Sequence, residues 1–144
     1  MDEEEHEDLV RAGVAAGVAS FHTSFGRVPE KLARLAAHAP AAFAGYGLMR
    51  AGVMREAGEG GALDLKTKEL VFCLLDCLIG QTEAAKNHAA AAMRRGLTVP
   101  ELAEGLVQVL MVGGITTWNR SGAEVLAHAE ALAAAEIGDV GQGC

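Results

Sequence analysis

The stretch KTKELVFCLLDCLIG, residues 66–80, constrains the fold more than any other part of the chain. As a helix it is apolar around most of its circumference, and such a helix normally lies in an interior. Yet Glu69, Cys73, Asp76 and Gly80 fall on one side of it, and the two carboxylates are about 10 Å apart along the axis. A buried carboxylate needs a partner or a proton. The helix therefore either meets a polar partner inside the protein or turns its carboxylates to solvent.

The remainder of the chain also has a helical pattern. Hydrophobic residues make up 51% of the sequence but aromatic residues only 4%, a balance that suits closely packed helices better than a sheet. Neither a period-two alternation nor an internal repeat is present. The 144 residues are enough for one domain with a real core. We therefore predict an all-α fold with a disordered acidic arm at residues 1–8, a single helical domain at 9–136 and a flexible tail at 137–144.

Capping signals predict several helix boundaries. A first helix from about residue 9 should be weak, because Gly13 and Gly17 each cost about 1 kcal/mol relative to Ala. Pro40 fits the first turn of a later helix. Thr82 is predicted to cap the helix that follows residues 66–80. The sequence TVPE at 98–101 forms a capping box with a proline in the first turn.

Charge and composition exclude several kinds of partner. The net charge is −7, and no basic cluster exists beyond pairs such as Arg94 and Arg95, which argues against nucleic acid or an anionic membrane as partner. The longest apolar run, 105–118, is too short for a membrane span. The acidic start is unlike a signal peptide, so a cytoplasmic location is expected. A small anionic substrate is still compatible, because one local arginine can bind it.

The cysteines indicate reduced thiols. Cys73, Cys77 and Cys144 are an odd number without the paired spacing of a secreted disulfide framework. Cys73 and Cys77 lie one helical turn apart, where small buried hydrophobic side chains are favoured over a disulfide. A negative charge at Glu69 would disfavour a thiolate at Cys73. Zinc bound by both thiols and His88 would lack a fourth ligand, so we expect no metal.

His88 is a candidate partner for a carboxylate of the preceding helix. It lies on an alanine-rich face of the sequence EAAKNHAAAAMRRG, residues 83–96, and small residues allow close helix approach. A short connection makes the two helices antiparallel neighbours. A histidine in that position is either an ordinary core residue or one held for proton transfer.

The segment LDLKTKELVFCLLDCLIGQTEAAKNHAAAAMRRGLTVPELAEGLVQVLMVGG resembles the carboxymuconolactone decarboxylase family, which includes AhpD-like alkylhydroperoxidases. The shared features are the LD-K-T-K-E-L start of a helix, a histidine nineteen residues after its glutamate, the following G-L-T…E-L-A-E and a closing glycine pair. With the upstream VPEKLARLAAHAPAAFAGYGLMRA, the resemblance covers about residues 28–132. It implies an AhpD-like helical bundle that assembles with itself as a homotrimer or homohexamer.

The resemblance also separates two kinds of chemistry. The peroxidase branch would require cysteines at positions 81 and 84, where this chain has Gln81 and Ala84. A peroxidase that uses Cys73 and Cys77 instead is the less favoured alternative. The decarboxylase branch also lacks the cysteine pair, and it removes CO2 from a carboxylated lactone without metal or organic cofactor.

The decarboxylase reading assigns roles to several side chains. His88 would be the acid that protonates carbon, and Glu69 would orient its ring, while Asp76 is assigned to structure or solvent. Four arginines are candidates for binding the substrate carboxylate, and the sequence does not choose among them: Arg34, Arg50, Arg55 and Arg120.

Two segments leave the identity of the substrate open, and the activity itself also has an alternative. Residues 48–62 and 116–118 depart from the pattern of the family, so the substrate is either the carboxylated lactone or a related carbonyl compound. The alternative function is a non-catalytic helical oligomer that binds or scaffolds other molecules.

Overall fold

A computed structural model describes residues 1–142, with side-chain surroundings for residues 1–138. The chain forms two compact units, Met1–Asp64 and Leu65–Cys144, where the sequence predicted one domain over residues 9–136. Every regular element within the described residues is helical, apart from one isolated bridge between Ala57 and Gly61. The predicted all-α fold is therefore confirmed.

The first unit contains three helices: α1 (Glu3–Phe25), α2 (Glu30–His38) and α3 (Pro40–Val53). The predicted acidic arm is not disordered, because residues 3–8 form the first turns of α1. Asp2 accepts a hydrogen bond from the Glu5 backbone, and the Glu5 side chain accepts one from the Asp2 backbone. This capping box, with acidic side chains beside the positive end of the helix dipole, stabilises the helix start.

The glycines that weaken α1 as an isolated helix allow it to pack closely on α3. A Cβ added at Gly13 would lie 2.7 Å from the Cβ of Ala44, and one added at Gly17 would lie 2.9 Å from the Cα of Gly47. The cost in helix propensity is thus offset by close packing of two backbones.

The second unit carries the remaining helices. They are α4 (Leu65–Ile79), α5 (Thr82–Arg94), α6 (Val99–Gly113), the short α7 (Ile115–Thr117) and α8 (Ala123–Gln142), with a π-helical turn at Trp118–Gly122 between α7 and α8. The flexible tail predicted from residue 137 onward is helical as far as Gln142, because α8 continues to that residue. Cys144, predicted to lie in a frayed end, is outside the described residues.

Two of the predicted caps have different outcomes. Thr98 and Glu101 form the predicted capping box at the start of α6. Thr82 does not cap α5: it lies inside the helix, after Gln81, and its hydroxyl is 2.8 Å from the hydroxyl of Ser121. That hydroxyl therefore joins α5 to the π-helical turn, an interaction between residues distant in sequence.

The core of the second unit is built from small side chains on α4 and α5 and larger ones on α6 and α8. Its fully buried members include Cys73, Cys77, Ala85, Ala89, Ala92, Leu102, Val125 and Ala129. The opposite face of α4 is open to solvent, with Val71, Leu75 and Ile79 all exposed. None of the described helices combines the length and hydrophobicity required to cross a membrane.

Candidate functional site

The turn between α4 and α5 brings their facing sides together. Gly80 has a φ of 81°, a left-handed conformation that favours glycine, and α4 ends there. The Gln81 backbone N–H donates to the carbonyl of Asp76 at 2.8 Å, which reverses the chain within a few residues. The α5 face toward the core carries Ala85 and Ala89, both fully buried, so the helix lies close against α4.

Glu69 and His88 meet across this pair of helices. The Nδ1 atom of His88 lies 2.6 Å from Oε2 of Glu69, a short hydrogen bond typical of charge-assisted pairs. An ionised carboxylate only accepts, so with Glu69 ionised the hydrogen of this bond would be on Nδ1. The predicted contact between these two side chains is therefore present in the structure. Their role in catalysis stays a prediction.

The burial of Glu69 is unusual for a carboxylate. Its side chain is 0% exposed, and that of His88 is only 15% exposed. Within the described residues, the second oxygen, Oε1, has no hydrogen-bond partner and no contact with solvent. Removing a carboxylate from water costs several kcal/mol, and one hydrogen bond offsets only part of that cost. Sites that bear such a cost are often functional, although ion pairs with a structural role share this property.

Asp76 lies at the other nitrogen of the same imidazole. Its Oδ2 is 3.8 Å from Nε2 of His88, longer than a direct hydrogen bond but within range of an ion pair if the ring is protonated. Burial raises the pKa of Asp76, and the nearby His88 lowers it in part. The assignment of Asp76 to structure or solvent therefore missed its position beside the ring. The signal in the sequence was its seven-residue spacing from Glu69, which places both carboxylates on one face of α4.

An aromatic ring of α4 also contacts His88. The Phe72 ring centroid lies 4.8 Å from that of the imidazole, with the two planes tilted by 33°. Sequence reasoning missed this contact as well. The Phe72 ring packs against an imidazole whose Nδ1 faces Glu69 and whose Nε2 faces Asp76.

The two thiols of α4 are poorly suited to redox chemistry. Cys73 and Cys77 are both free and fully buried. The pKa of Cys73 is raised by its hydrogen bond with Cys77, by burial and by the negative charge of Asp76. The same hydrogen bond lowers the pKa of Cys77. Both sulfurs are nevertheless fully buried, and a thiol that a substrate cannot reach is a poor nucleophile. Over the described residues, no group of three or more His, Cys, Asp or Glu side chains is arranged to hold a metal ion.

Three of the four candidate arginines lie in the first unit. Arg34 is exposed and pairs with Glu30 at 3.4 Å, one helical turn away. Arg55 packs its side chain against the backbone of Gly60 in the loop after α3. Neither position indicates an anion site.

Arg50 is 6% exposed and is held between α1 and α3. Its guanidinium donates to the hydroxyls of Ser20 and Ser24 at 2.6 and 2.8 Å, and it lies 4.4 Å from the ring centroid of Phe21. These contacts account for its burial through the packing of the first unit.

Arg120 is the candidate that shares a unit with His88. The π-helical turn directs its side chain to the end of α4, where Nη2 donates to the carbonyl of Leu78 at 2.9 Å and the side chain covers Gly80. The residue as a whole is exposed. Leu78 is two residues after Asp76, so the guanidinium lies at the same end of α4 as that carboxylate.

A groove of about 470 Å³ lies elsewhere, in the first unit. None of the predicted site residues lines it. Its lining consists of His6, Glu7, Val10, Arg11, Val14, Pro40 and Ala41.

Comparisons with known proteins agree with the fold and include the paired residues. The sequence model of the carboxymuconolactone decarboxylase family matches residues 40–128, which contain Glu69 and His88. A crystal structure of a Burkholderia xenovorans LB400 protein named as a carboxymuconolactone decarboxylase is similar, with a TM-score of 0.80 and 30% sequence identity. That alignment covers 93% of this chain and 98% of the other. A comparison with functionally curated proteins gives no significant match.

Proposed function

Because this chain belongs to the carboxymuconolactone decarboxylase family, we propose that it is a cofactor-independent lyase acting on a small carboxylated lactone or a related carbonyl compound. His88 is the acid that protonates carbon, and Glu69 orients its ring. The observation that carries this proposal is the 2.6 Å hydrogen bond between Nδ1 of His88 and the fully buried Glu69 carboxylate.

The arrangement suits the proton transfer that a decarboxylation requires. The bond between the substrate carbon and its carboxylate breaks, CO2 leaves, and the bonding electron pair moves into the conjugated lactone as a dienolate. A proton from Nε2 of His88 then reaches the carbon, and solvent restores that proton. Glu69 stabilises the positive charge on the ring before the transfer and holds Nε2 toward the substrate.

A cationic side chain near the ring would bind the substrate carboxylate. Arg120 is the preferred candidate among the four arginines, because it lies in the same unit as His88 and at the end of α4 that carries Asp76. Its side chain is also exposed, which leaves it accessible to an anion. Bidentate binding of a carboxylate is a common role of the guanidinium group.

The test is to measure CO2 release from a panel of carboxylated lactones. We expect turnover with at least one member, loss of turnover in His88→Gln, and a decrease of about ten- to a thousandfold in Glu69→Gln, near the usual range for general acid–base groups. His38→Gln, at an exposed position near the end of α2, is the matched control and should retain full activity. Equal activity of wild type and His88→Gln would refute the assignment of the acid.

A second candidate is a non-catalytic oligomer that binds other molecules through its helices. The observation that favours it is the apolar surface of the second unit, where Met111 is 77% and Val112 is 81% exposed. This candidate would gain if no lactone or related carbonyl compound in the panel released CO2 while the protein formed a stable oligomer. A peroxidase that uses Cys73 and Cys77 is disfavoured, because both thiols are fully buried.

A further inference from the structure

The imidazole of His88 lies between two carboxylates that come from one face of α4. Glu69 accepts the hydrogen of Nδ1 at 2.6 Å, and Asp76 lies 3.8 Å from Nε2. The two carboxylates differ in exposure: Glu69 is 0% exposed, whereas Asp76 is 22% exposed. One end of this arrangement is therefore closed and the other is open to solvent.

The hydrogen on Nδ1 determines what Nε2 presents to Asp76. If Nε2 has no hydrogen, its lone pair faces a carboxylate oxygen, and two acceptors oppose each other. If Nε2 carries a hydrogen, the same geometry becomes an attraction between an imidazolium and a carboxylate. A small shift of either side chain would convert the 3.8 Å separation into a hydrogen bond. Asp76 is therefore placed to attract a proton on Nε2, the nitrogen that an acid would use.

We propose that Asp76 is a positioning residue that retains the transferable proton on Nε2 of His88 between turnovers. This inference deepens the proposed function and rests on it for its catalytic consequence. The carboxyl group of Asp76 is partly exposed and can exchange protons with water, whereas Glu69 has no access to solvent. The two carboxylates thus have different tasks, since Glu69 sets the orientation of the ring and Asp76 maintains its proton.

Several described groups lie around this end of α4. They include His88 on α5 and, on α4 itself, the thiols of Cys73 and Cys77, whose environment includes the charge of Asp76. The π-helical turn brings Arg120 to the carbonyl of Leu78. Where α6 meets α4, Gly105 packs against the apolar side chains of Leu70 and Leu74.

The direct test is ¹⁵N NMR of histidine-labelled protein, with the His88 signals assigned from the His88→Gln variant. We compare wild type with Asp76→Asn at one pH near neutrality. The signal of Nε2 should shift toward that of an unprotonated ring nitrogen in the variant. Glu104→Gln, an exposed carboxylate on α6, is the matched control and should leave the signal unchanged. An Nε2 signal that is identical in wild type and Asp76→Asn would overturn the proposal.

A reciprocal measurement keeps the proposal testable if Asp76→Asn fails to fold. His88 lowers the pKa of Asp76 in the wild type, so that pKa should rise further in His88→Gln. The ¹³C signal of the Asp76 carboxyl group, followed through a pH titration, reports this change. The same titration midpoint in both proteins would show that the two side chains do not interact, and the proposal would fail.

Kinetics separate this role from a purely structural one. In Asp76→Asn, kcat should fall by about ten- to a hundredfold, with KM changed less than kcat, and the loss should increase as pH rises. Asp76→Glu should restore part of the activity. The expected NMR changes in a protein that turns over no substrate would support the role of Asp76 and refute the proposed lyase function. Unchanged NMR signals in a protein that releases CO2 would support the lyase function and refute the role of Asp76.

Discussion

Replacement of His88 by Leu should reveal what the buried Glu69 carboxylate costs. Leucine fills much of the space of the ring but has no hydrogen to donate to Oε2, and Oε1 already has no partner among the described residues. Removing one partner of a buried ion pair typically destabilises a protein by about 3–5 kcal/mol. We expect the free energy of unfolding to fall by an amount near the lower end of that range at pH 7.

Protonation of the orphaned Glu69 carboxyl group limits the loss of stability in His88→Leu and makes that loss depend on pH. A glutamate in an unfolded chain has a pKa of about 4.3, so protonating it costs about 3.7 kcal/mol at pH 7 and about 1 kcal/mol at pH 5. The folded variant then binds one more proton than its unfolded state, and its stability falls as pH rises. Relative to wild type, the loss should therefore be about 3–4 kcal/mol at pH 7 and about 1 kcal/mol at pH 5.

Urea unfolding followed by circular dichroism at pH 5, 6 and 7, at one protomer concentration, measures these differences. His88→Gln is the matched control, because its amide keeps a donor for Glu69, and its loss at pH 7 should be smaller than that of His88→Leu. Adding Glu69→Met to His88→Leu removes the orphaned carboxyl group and should recover stability at pH 7. A loss that does not vary with pH, or no recovery in the double variant, would refute the reasoning.

Three other predictions concern packing, thiols and assembly. Gly17→Ala should destabilise the protein by about 1–3 kcal/mol in thermal or urea unfolding, because its Cβ would meet the backbone of α3 at 2.9 Å; Gly45→Ala, with open space around its Cβ, should not. Joint replacement of Cys73 and Cys77 by Ala should leave any lyase activity within a few fold, and the wild type should not reduce peroxides; a large loss without unfolding would contradict this. Light scattering at micromolar concentration should show a trimer or a dimer of trimers. The reason is that apolar side chains cover one face of α4, among them Leu75, which is 54% exposed. A monomer would contradict this prediction.

Local physical chemistry made much of this protein predictable from its sequence. The start of α6 follows from a capping box within four residues, and the end of α4 follows from one glycine, since both depend only on neighbouring backbone groups. The contact between Glu69 and His88 was also predictable, because a short connection and an alanine-rich face restrict how two consecutive helices meet. The same local rules predict the early start of α1, where Asp2 and Glu5 form a capping box that the acidic composition concealed.

The tertiary structure alone decided the other contacts between helices. Asp76 lies on the same face of α4 as Glu69, but its contact with Nε2 depends on the rotation of α5 about its own axis, which no local pattern specifies. Likewise, a π-helical turn directs Arg120 to the end of α4, and Gly17 contacts α3 only because two helices cross there. Such contacts arise from the packing of many residues distant in sequence, so that a shift of one helix by a fraction of a turn would change them while leaving every cap and every helix boundary intact.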